Sequence, residues 1–363
     1  MTVIRVEAGA SGYANSSSYD ILIGPFEAAV GRIANLARGA VPVLVSEPRV
    51  FGLHGDRVAT GLGTAEPILV PEGEAAKDWS VLHLLLGELA KRNAGRDTPI
   101  VALGGGAVGD LTGLAASLFK RGCPMVYLPT TLLSQADSAV GGKTAIDAFD
   151  EKNVIGSFHQ PALVAADPAF LDTLDPRQLR SGYAEIVKYG LIDDPAFFGW
   201  CESNGVGLLA GHRDLRLTAI VASINAKARI VAGDADDRTG KRALLNLGHS
   251  FAHAIESEAG LGQFLHGEAV AIGIALAFRF SAELGHCAVA DAERVVGHLA
   301  AAGLPTRVAD AGVRGDRLID WMKRDKKNSG GALALILTRG IGRAYLDRTV
   351  EPRRLAAFLT AAP

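Results

Sequence analysis

"PIVALGGGAVGD", residues 99–110, decides the fold class. A short apolar run ends in three glycines, and small residues follow that suit the first turn of a helix. Gly104, Gly106 and Gly109 form a GxGxxG pattern. Glycines here let the backbone pass close to a pyrophosphate, and the helix N-terminus behind them offers free N–H groups to it. The same letters also describe a plain strand-to-helix turn. The acidic residue that usually follows about 20 positions later is missing, because position 130 is Thr. Asp110 reads either as a ligand-facing residue or as a helix N-cap.

Outward from this stretch, short β-branched runs recur: "VPVLVS" (41–46), "PILV" (67–70), "MVYLP" (125–129) and "ALVAAD" (162–167). Amphipathic segments separate several of them. One is 77–93, where Trp79, Leu82, Leu86 and Leu89 recur at helical spacing. Strands alternating with helices predict a Rossmann-like parallel sheet covered by helices, an α/β fold. From Leu174 onward the pattern turns mainly helical, with helices expected over 176–192, 214–232, 243–260, 267–285 and 290–302 and a short β-like piece over 332–346. A chain of 363 residues exceeds one ordinary core. Two domains are expected, an α/β domain over 1–175 and an α-helical domain over 176–363, with the change near "DTLDPRQ" (172–178).

Composition removes several classes of function. Hydrophobic residues at 48% against 21% charged exclude a disordered chain. A net charge of −2 without a basic tract argues against nucleic acid. The longest apolar stretch, "AVAIGIALAF" (269–278), stops at Arg279, short of the roughly 20 residues a bilayer needs. "MTVIRVEAGA" has no apolar signal region. Cys123, Cys201 and Cys287 form no CxxC pair, so a reducing cytoplasm is expected.

Two clusters carry chemistry. In "LPTTLLSQADSAVGGKTAID" (128–147), Thr130 and Thr131 follow a strand, and Asp137 and Gly141-Gly142-Lys143 come next. "DAFDEKN" (147–153) adds Lys152 and Asn153. Lysines among small residues suit an anionic, polyhydroxylated ligand, and Lys143 is expected inside an apolar neighbourhood. The second cluster is "LLNLGHSFAHAIES" (244–257). On a helix over 244–259, His249, His253 and Glu256 fall within about 60° of one another, while Leu247, Phe251 and Ile255 face elsewhere. HxxxH spacing lets two rings reach one ion. His266 precedes another helix, and Glu185 sits three residues before Lys188 among Tyr183, Ile186, Val187 and Tyr189. A carboxylate in such apolar bulk needs a partner or a metal. Two His and one Glu, with a fourth position open, is the pattern of a catalytic zinc site. Spacing does not decide which two of the three histidines join.

These segments together resemble the 3-dehydroquinate synthase family. The resemblance runs from "PEGEAAK" (71–77) to "RDKKNSGG" (324–331), through "GGGAVGDLTG", "PTTLLSQADSAVGGKTAID", "GYAEIVKYG", "LLNLGHSFAHAIE" and "HGEAVAIG" in that order. It implies an N-terminal NAD domain, a helical C-terminal domain, an active site in the cleft between them, and a homodimer. It implies zinc, with cobalt also admitted, on Glu185, His249 and His266. NAD contacts are implied at Glu72, Gly73, Glu74, Ala75, Ala76 and Lys77, then Gly106, Ala107, Val108, Gly109 and Asp110. Thr130, Thr131, Lys143 and Lys152 follow, with Phe170, Leu171, Asp172 and Thr173. The implied substrate and catalytic set is Asp137, Lys143, Asn153, Lys188, Lys227, Arg242, Asn246, His253 and Lys326. Arg121 matches an arginine that reaches a partner's substrate phosphate.

The implied substrate is a sugar phosphate, 3-deoxy-D-arabino-heptulosonate 7-phosphate, closed to 3-dehydroquinate. Three features depart from the family pattern. "FDEKN" stands where a Leu-Gly pair usually precedes the lysine, the segment from Lys227 to His249 is about one residue longer, and Lys327 adjoins Lys326. Rival readings are other sugar-phosphate cyclases, aminodehydroquinate synthase foremost, and metal-dependent alcohol dehydrogenases of the glycerol dehydrogenase type.

Overall fold

The computed structural model describes residues 1–7, 18–64, 66–149, 151–232, 241–260, 262–324 and 333–362. The chain divides into two compact units, Met1–Asp175 with Arg216–Ala235, and Pro176–Leu215 with Asp236–Pro363.

The first unit is built on a seven-stranded sheet. In chain order the strands are β1 (Thr2–Val6), β2 (Tyr19–Ile23), β3 (Val43–Ser46), β4 (Ile68–Leu69), β5 (Ile100–Gly104) and β6 (Met125–Pro129). A separate hairpin follows, β7 (Lys143–Ala148) and β8 (Glu151–Phe158), and then β9 (Leu163–Ala166). The sheet runs β1-β2-β9-β6-β5-β3-β4, with β1 antiparallel to β2 and every other pair parallel. Helices α1 (Glu27–Ala37), α2 (Pro48–Leu62), α3 (Trp79–Lys91) and α4 (Gly106–Leu118) connect the strands. Leu44, Val101, Leu103, Val126, Leu128 and Leu163 carry the sheet into a core shared with Phe26 and Ile33. Continuous burial of this kind is why the parallel strands read as unbroken apolar runs.

The expected α/β architecture is present, with three differences in detail. β2, though largely buried, was not anticipated, and β1 was not anticipated because it alternates exposed and buried positions at the sheet's edge. The hairpin β7–β8 escaped for a similar reason, since no residue of β8 is fully buried. In α3 the buried face is Leu82, Leu85 and Leu89, while Trp79 is 59% exposed. Trp79 opens the helix directly after its cap, Asp78, whose carboxylate accepts from the Ser80 N–H at 2.8 Å.

A parallel sheet gathers the C-terminal ends of its strands on one edge, where ligands of such folds bind. Segments 72–77, 106–110, 130–131 and 170–173 follow β4, β5, β6 and β9 respectively. All are therefore delivered to that one edge.

The second unit is mainly helical: α5 (Pro176–Asp193), α6 (Pro195–Leu209), α8 (His249–Ala259), α9 (His266–Glu283), α10 (Val289–Ala301), α11 (Gly315–Arg324) and α12 (Pro352–Ala361), with the antiparallel pair β10 (Leu333–Thr338) and β11 (Ala344–Val350). Most of α7 (Arg213–Ala232) belongs to the first unit. The helix expected from 243 or 244 begins only at His249. Arg242–Asn246 is a 3₁₀ turn, and Gly248 has a φ of 82° that a continuing helix does not allow. Gly248 also admits a close crossing: a Cβ there would lie 2.7 Å from the Ile274 nitrogen of α9. Among the described residues no helix is long and apolar enough to cross a membrane.

Candidate metal centre and nucleotide cradle

In the second unit, α5 buries nearly its whole circumference; Tyr183, Ile186, Val187 and Tyr189 are at most 1% exposed. The Glu185 side chain, 1% exposed, is enclosed with them. Its Oε1 lies 3.5 Å from His249 Nε2 and 3.5 Å from His266 Nε2. One ligand atom from each of Glu185, His249 and His266 lies within 4.8 Å of the others, and the described residues hold no other such group. The Lys188 ammonium makes an ion pair with Glu185 Oε2, yet neither carboxylate oxygen completes a hydrogen bond. A desolvated carboxylate with open lone pairs aimed at two imidazole nitrogens is a donor set that a divalent cation satisfies.

The rings are prepared for that task. His249 Nδ1 donates to the Leu247 carbonyl at 3.3 Å, which leaves the Nε2 lone pair turned to Glu185. Burial, reinforced by the Lys188 charge, pushes the His249 pKa well below the usual value and keeps the ring neutral. For His266, burial opposes a proton, but Glu185 and Glu256 together outweigh it and lift the pKa to about 10. His253 stands one turn beyond His249 with its ring 5.7 Å from that of His249 and 6.3 Å from that of His266. It is exposed and outside the group of three.

Local packing explains why the three groups meet. His266 is the first residue of α9, and Gly267 follows it. A Cβ on Gly267 would fall 1.9 Å from the Ser181 carbonyl oxygen of α5, and the Gly267 N–H donates to Ser181 Oγ at 3.0 Å. Arg177 on α5 holds the Glu268 carboxylate at 2.6 and 2.8 Å, while Glu268 Oε2 accepts from the Leu265 N–H at 3.0 Å. These contacts fix the start of α9 beside the turn of α5 that carries Glu185. Arg242 is buried and Asn246 half-buried in the 3₁₀ turn ahead of His249. Lys326 lies outside the described residues.

In the first unit, the glycine loop divides its labour. A Cβ on Gly109 would lie 2.5 Å from Tyr127 Cζ, and one on Gly104 would lie 2.7 Å from Val108 Cβ, so both serve strand-to-helix packing. Gly106 meets only Ser138 Oγ, at 3.5 Å. No side chain caps α4, whose cap residue is Gly105. Asp110 is therefore not the N-cap that was one of its two readings. It lies inside α4 and accepts from the Lys77 ammonium at 2.9 Å. Lys77, 4% exposed, also donates to Asn153 Oδ1 and has Glu74 at 3.8 Å and Asp147 at 3.9 Å. Burial raises the Asp110 pKa, and the Lys77 charge opposes that rise. Asn153 adopts a φ of 55°, and its N–H donates to Asp147 Oδ1 at 2.7 Å.

The remaining residues vary in availability. Glu72, Gly73, Glu74 and Ala75 are exposed, and Ala76 is buried. Thr130 is 4% exposed and its hydroxyl has no hydrogen-bond partner. The Thr131 hydroxyl is engaged with Ser134 Oγ at 2.8 Å. Phe170 and Leu171 are each 1% exposed, which leaves their backbone as the part able to meet a ligand. Asp172 pairs with Arg216 at 3.0 Å, and Thr173 Oγ1 bonds His54 Nε2 at 2.9 Å. The Lys227 ammonium donates to the Asp137 carbonyl at 2.9 Å and to its carboxylate. Lys143 is exposed at the start of β7, not in the expected apolar neighbourhood. Lys152 is half-buried and Arg121 exposed.

Two further carboxylates lie beside the candidate site residues and were not among the expected ones. Glu47 follows β3 and accepts from the Gly73 N–H at 3.1 Å; "VLVSE", a strand ending in an acid, was its signal. Glu256 faces His266 Nδ1 at 3.5 Å, and the HxxxHxxE stripe already carried it.

Comparison with known proteins places this geometry. Residues 67–181 match the family model "3-dehydroquinate synthase N-terminal", and residues 182–328 match "3-dehydroquinate synthase C-terminal". A 3-dehydroquinate synthase of Zymomonas mobilis is 51% identical over 299 residues, covering 82% of this chain and 79% of that protein. One from Rhodospirillum rubrum is 46% identical over 358 residues, covering 95% and 92%. The solved structure of ValA, a 2-epi-5-epi-valiolone synthase from Streptomyces hygroscopicus subsp. jinggangensis, superposes with a TM-score of 0.85 at 30% identity, covering 96% of this chain and 98% of that one; it has NAD⁺ and Zn²⁺ bound. With both halves of the chain matched in order and relatives alike over nearly its full length, the chain belongs to the 3-dehydroquinate synthase family.

Proposed function

We propose how this chain carries out its family's reaction. The chain is a lyase that converts 3-deoxy-D-arabino-heptulosonate 7-phosphate to 3-dehydroquinate and phosphate with catalytic NAD and a divalent metal. The observation that carries the reading is the buried Glu185 carboxylate, with Oε2 paired to Lys188 and Oε1 flanked by two imidazole nitrogens. When bound, the metal polarises an alcohol oxygen and NAD takes up and returns a hydride.

Glu185, His249 and His266 would hold the ion, with zinc favoured by the His and carboxylate donors and cobalt admitted. Lys188 balances the buried Glu185 charge and presents an ammonium to an anionic substrate. Arg242, Lys152, Lys227, Lys326 and Arg121 supply cations for its carboxylate and phosphate. Asp137, Asn246 and Asn153 accept or donate to its hydroxyls. His253, exposed beside the cluster, moves a proton at a sugar hydroxyl. Phosphate leaves once a neighbouring ketone has acidified the adjacent C–H, and the dianionic phosphate can take that proton itself. The protein's work is thus positioning and electrostatics.

For NAD, the uncapped N-terminus of α4 at 106–110 faces the pyrophosphate. The segments 72–77 and 170–173 and the side chains of Thr130, Thr131, Lys143 and Lys152 complete the contacts. Glu47 suits a ribose hydroxyl, since it ends a strand adjacent to β5. In this reading residues 1–175 form the NAD domain and 176–363 the metal and substrate domain. The protein acts as a cytoplasmic homodimer in which Arg121 serves the partner's substrate.

The test is phosphate release from the heptulosonate phosphate with substoichiometric NAD⁺, with and without a chelator. Many turnovers per NAD⁺, stopped by chelation, are expected. Net accumulation of NADH would assign the chain to dehydrogenase chemistry instead.

A further inference from the structure

We infer that Glu256 is a positioning residue for the metal centre, acting through His266. This rests on the metal reading above and extends it by one residue. His266 bridges two carboxylates: its Nε2 lies 3.5 Å from Glu185 Oε1, and its Nδ1 lies 3.5 Å from Glu256 Oε1. The Glu256 side chain is 6% exposed, so water does not dilute its charge. An imidazole that binds a cation through Nε2 must keep its proton on Nδ1, and a carboxylate facing Nδ1 selects that tautomer and raises the basicity of the ligand nitrogen.

The two histidines are oriented by different devices. His249 is held by the Leu247 backbone carbonyl, a partner that no substitution removes. His266 Nδ1 instead faces a side chain, the Glu256 carboxylate supplied by α8. The side chain of His266 is also the more exposed of the two, at 35% against 11% for His249. It therefore gains more rotational freedom when the carboxylate is taken away. Glu256 adds a second negative charge beside the site and so reduces the net positive charge that Lys188 and an entering dication leave after Glu185 is counted.

The test uses metal-stripped full-length protein and Co²⁺, with Glu256→Ala, Glu256→Gln and Glu185→Gln compared with the parent. Competition against a chelator gives affinity, and the visible ligand-field spectrum reports coordination. Glu256→Ala should weaken Co²⁺ binding about 10- to 100-fold and alter the spectrum. Glu256→Gln, whose amide oxygen still accepts from Nδ1, should recover part of the affinity. NAD⁺ binding, followed by fluorescence, should stay at the parent value in both. If Glu256→Ala does not fold, Glu256→Gln alone decides. Parent-like affinity and spectrum in the folded variants would overturn the inference while Glu185→Gln still loses the metal. A parent that binds no metal would instead overturn the reading of the centre itself.

Discussion

Lys77 shows what a single residue must offset in this fold. Its ammonium is 4% exposed and sits among Asp110, Asn153, Glu74 and Asp147. Burial lowers the Lys77 pKa, but Asp110 and Glu74 more than reverse this, and the net shift is upward. Lys77→Met would leave the half-buried Asp110 without its cation. The variant should lose about 3 kcal/mol of stability, read by urea unfolding, because breaking a buried pair costs more than the pair contributes. Parent-like stability would show that Asp110 finds another partner. At this scale the sequence was informative about chemistry but not about choice. Glu185, His249, His253 and His266 were all visible as candidates, and family resemblance singled out three. Spacing could not, because His253 shares a helix face with His249 whereas His266 arrives from another helix.

At the scale of elements, the metal centre depends on how closely α5 and α9 approach. Gly267→Ala would drive a methyl group into the Ser181 carbonyl, 1.9 Å away, next to the proposed ligand His266. Backbone cannot yield as a flexible side chain can, so the substitution should destabilise by about 1–3 kcal/mol or more and displace His266. Thermal unfolding and a Co²⁺ titration on the same sample check both effects; a variant with unchanged midpoint and affinity would contradict this packing. Gly109→Ala should likewise force apart α4 and β6, since its Cβ would meet the Tyr127 ring at 2.5 Å. A lowered unfolding midpoint with weakened NAD⁺ binding is expected; an unchanged midpoint would show that Tyr127 can move aside. The start of α8 was misread because helical periodicity continues through 244–248 while one backbone angle, at Gly248, interrupts it. Periodicity records which face is apolar, and it carries no information about a left-handed residue.

For the whole molecule, most of the legible strands were buried on both faces, although the largely buried β2 went unread. β3, β5, β6 and β9 announced themselves as apolar runs, whereas β1 and the β7–β8 hairpin, half-exposed, did not. The assignment of Arg216–Ala235 to the first unit was also invisible, since a helix states its amphipathicity and not its partner. The chemistry of the whole chain is redox-neutral, which predicts that a trace of NAD⁺ supports many rounds of phosphate release. One stoichiometric burst followed by arrest would contradict that.

The most direct measurement is the binding of Co²⁺ or Zn²⁺ to metal-stripped protein, by chelator competition, for the parent and for Glu185→Gln, His249→Ala and His266→Ala. One tightly held ion per chain is predicted, lost by at least about 100-fold in each variant. A parent that binds no ion, or three variants that bind as tightly as the parent, would contradict the assignment of Glu185, His249 and His266 to a single cation.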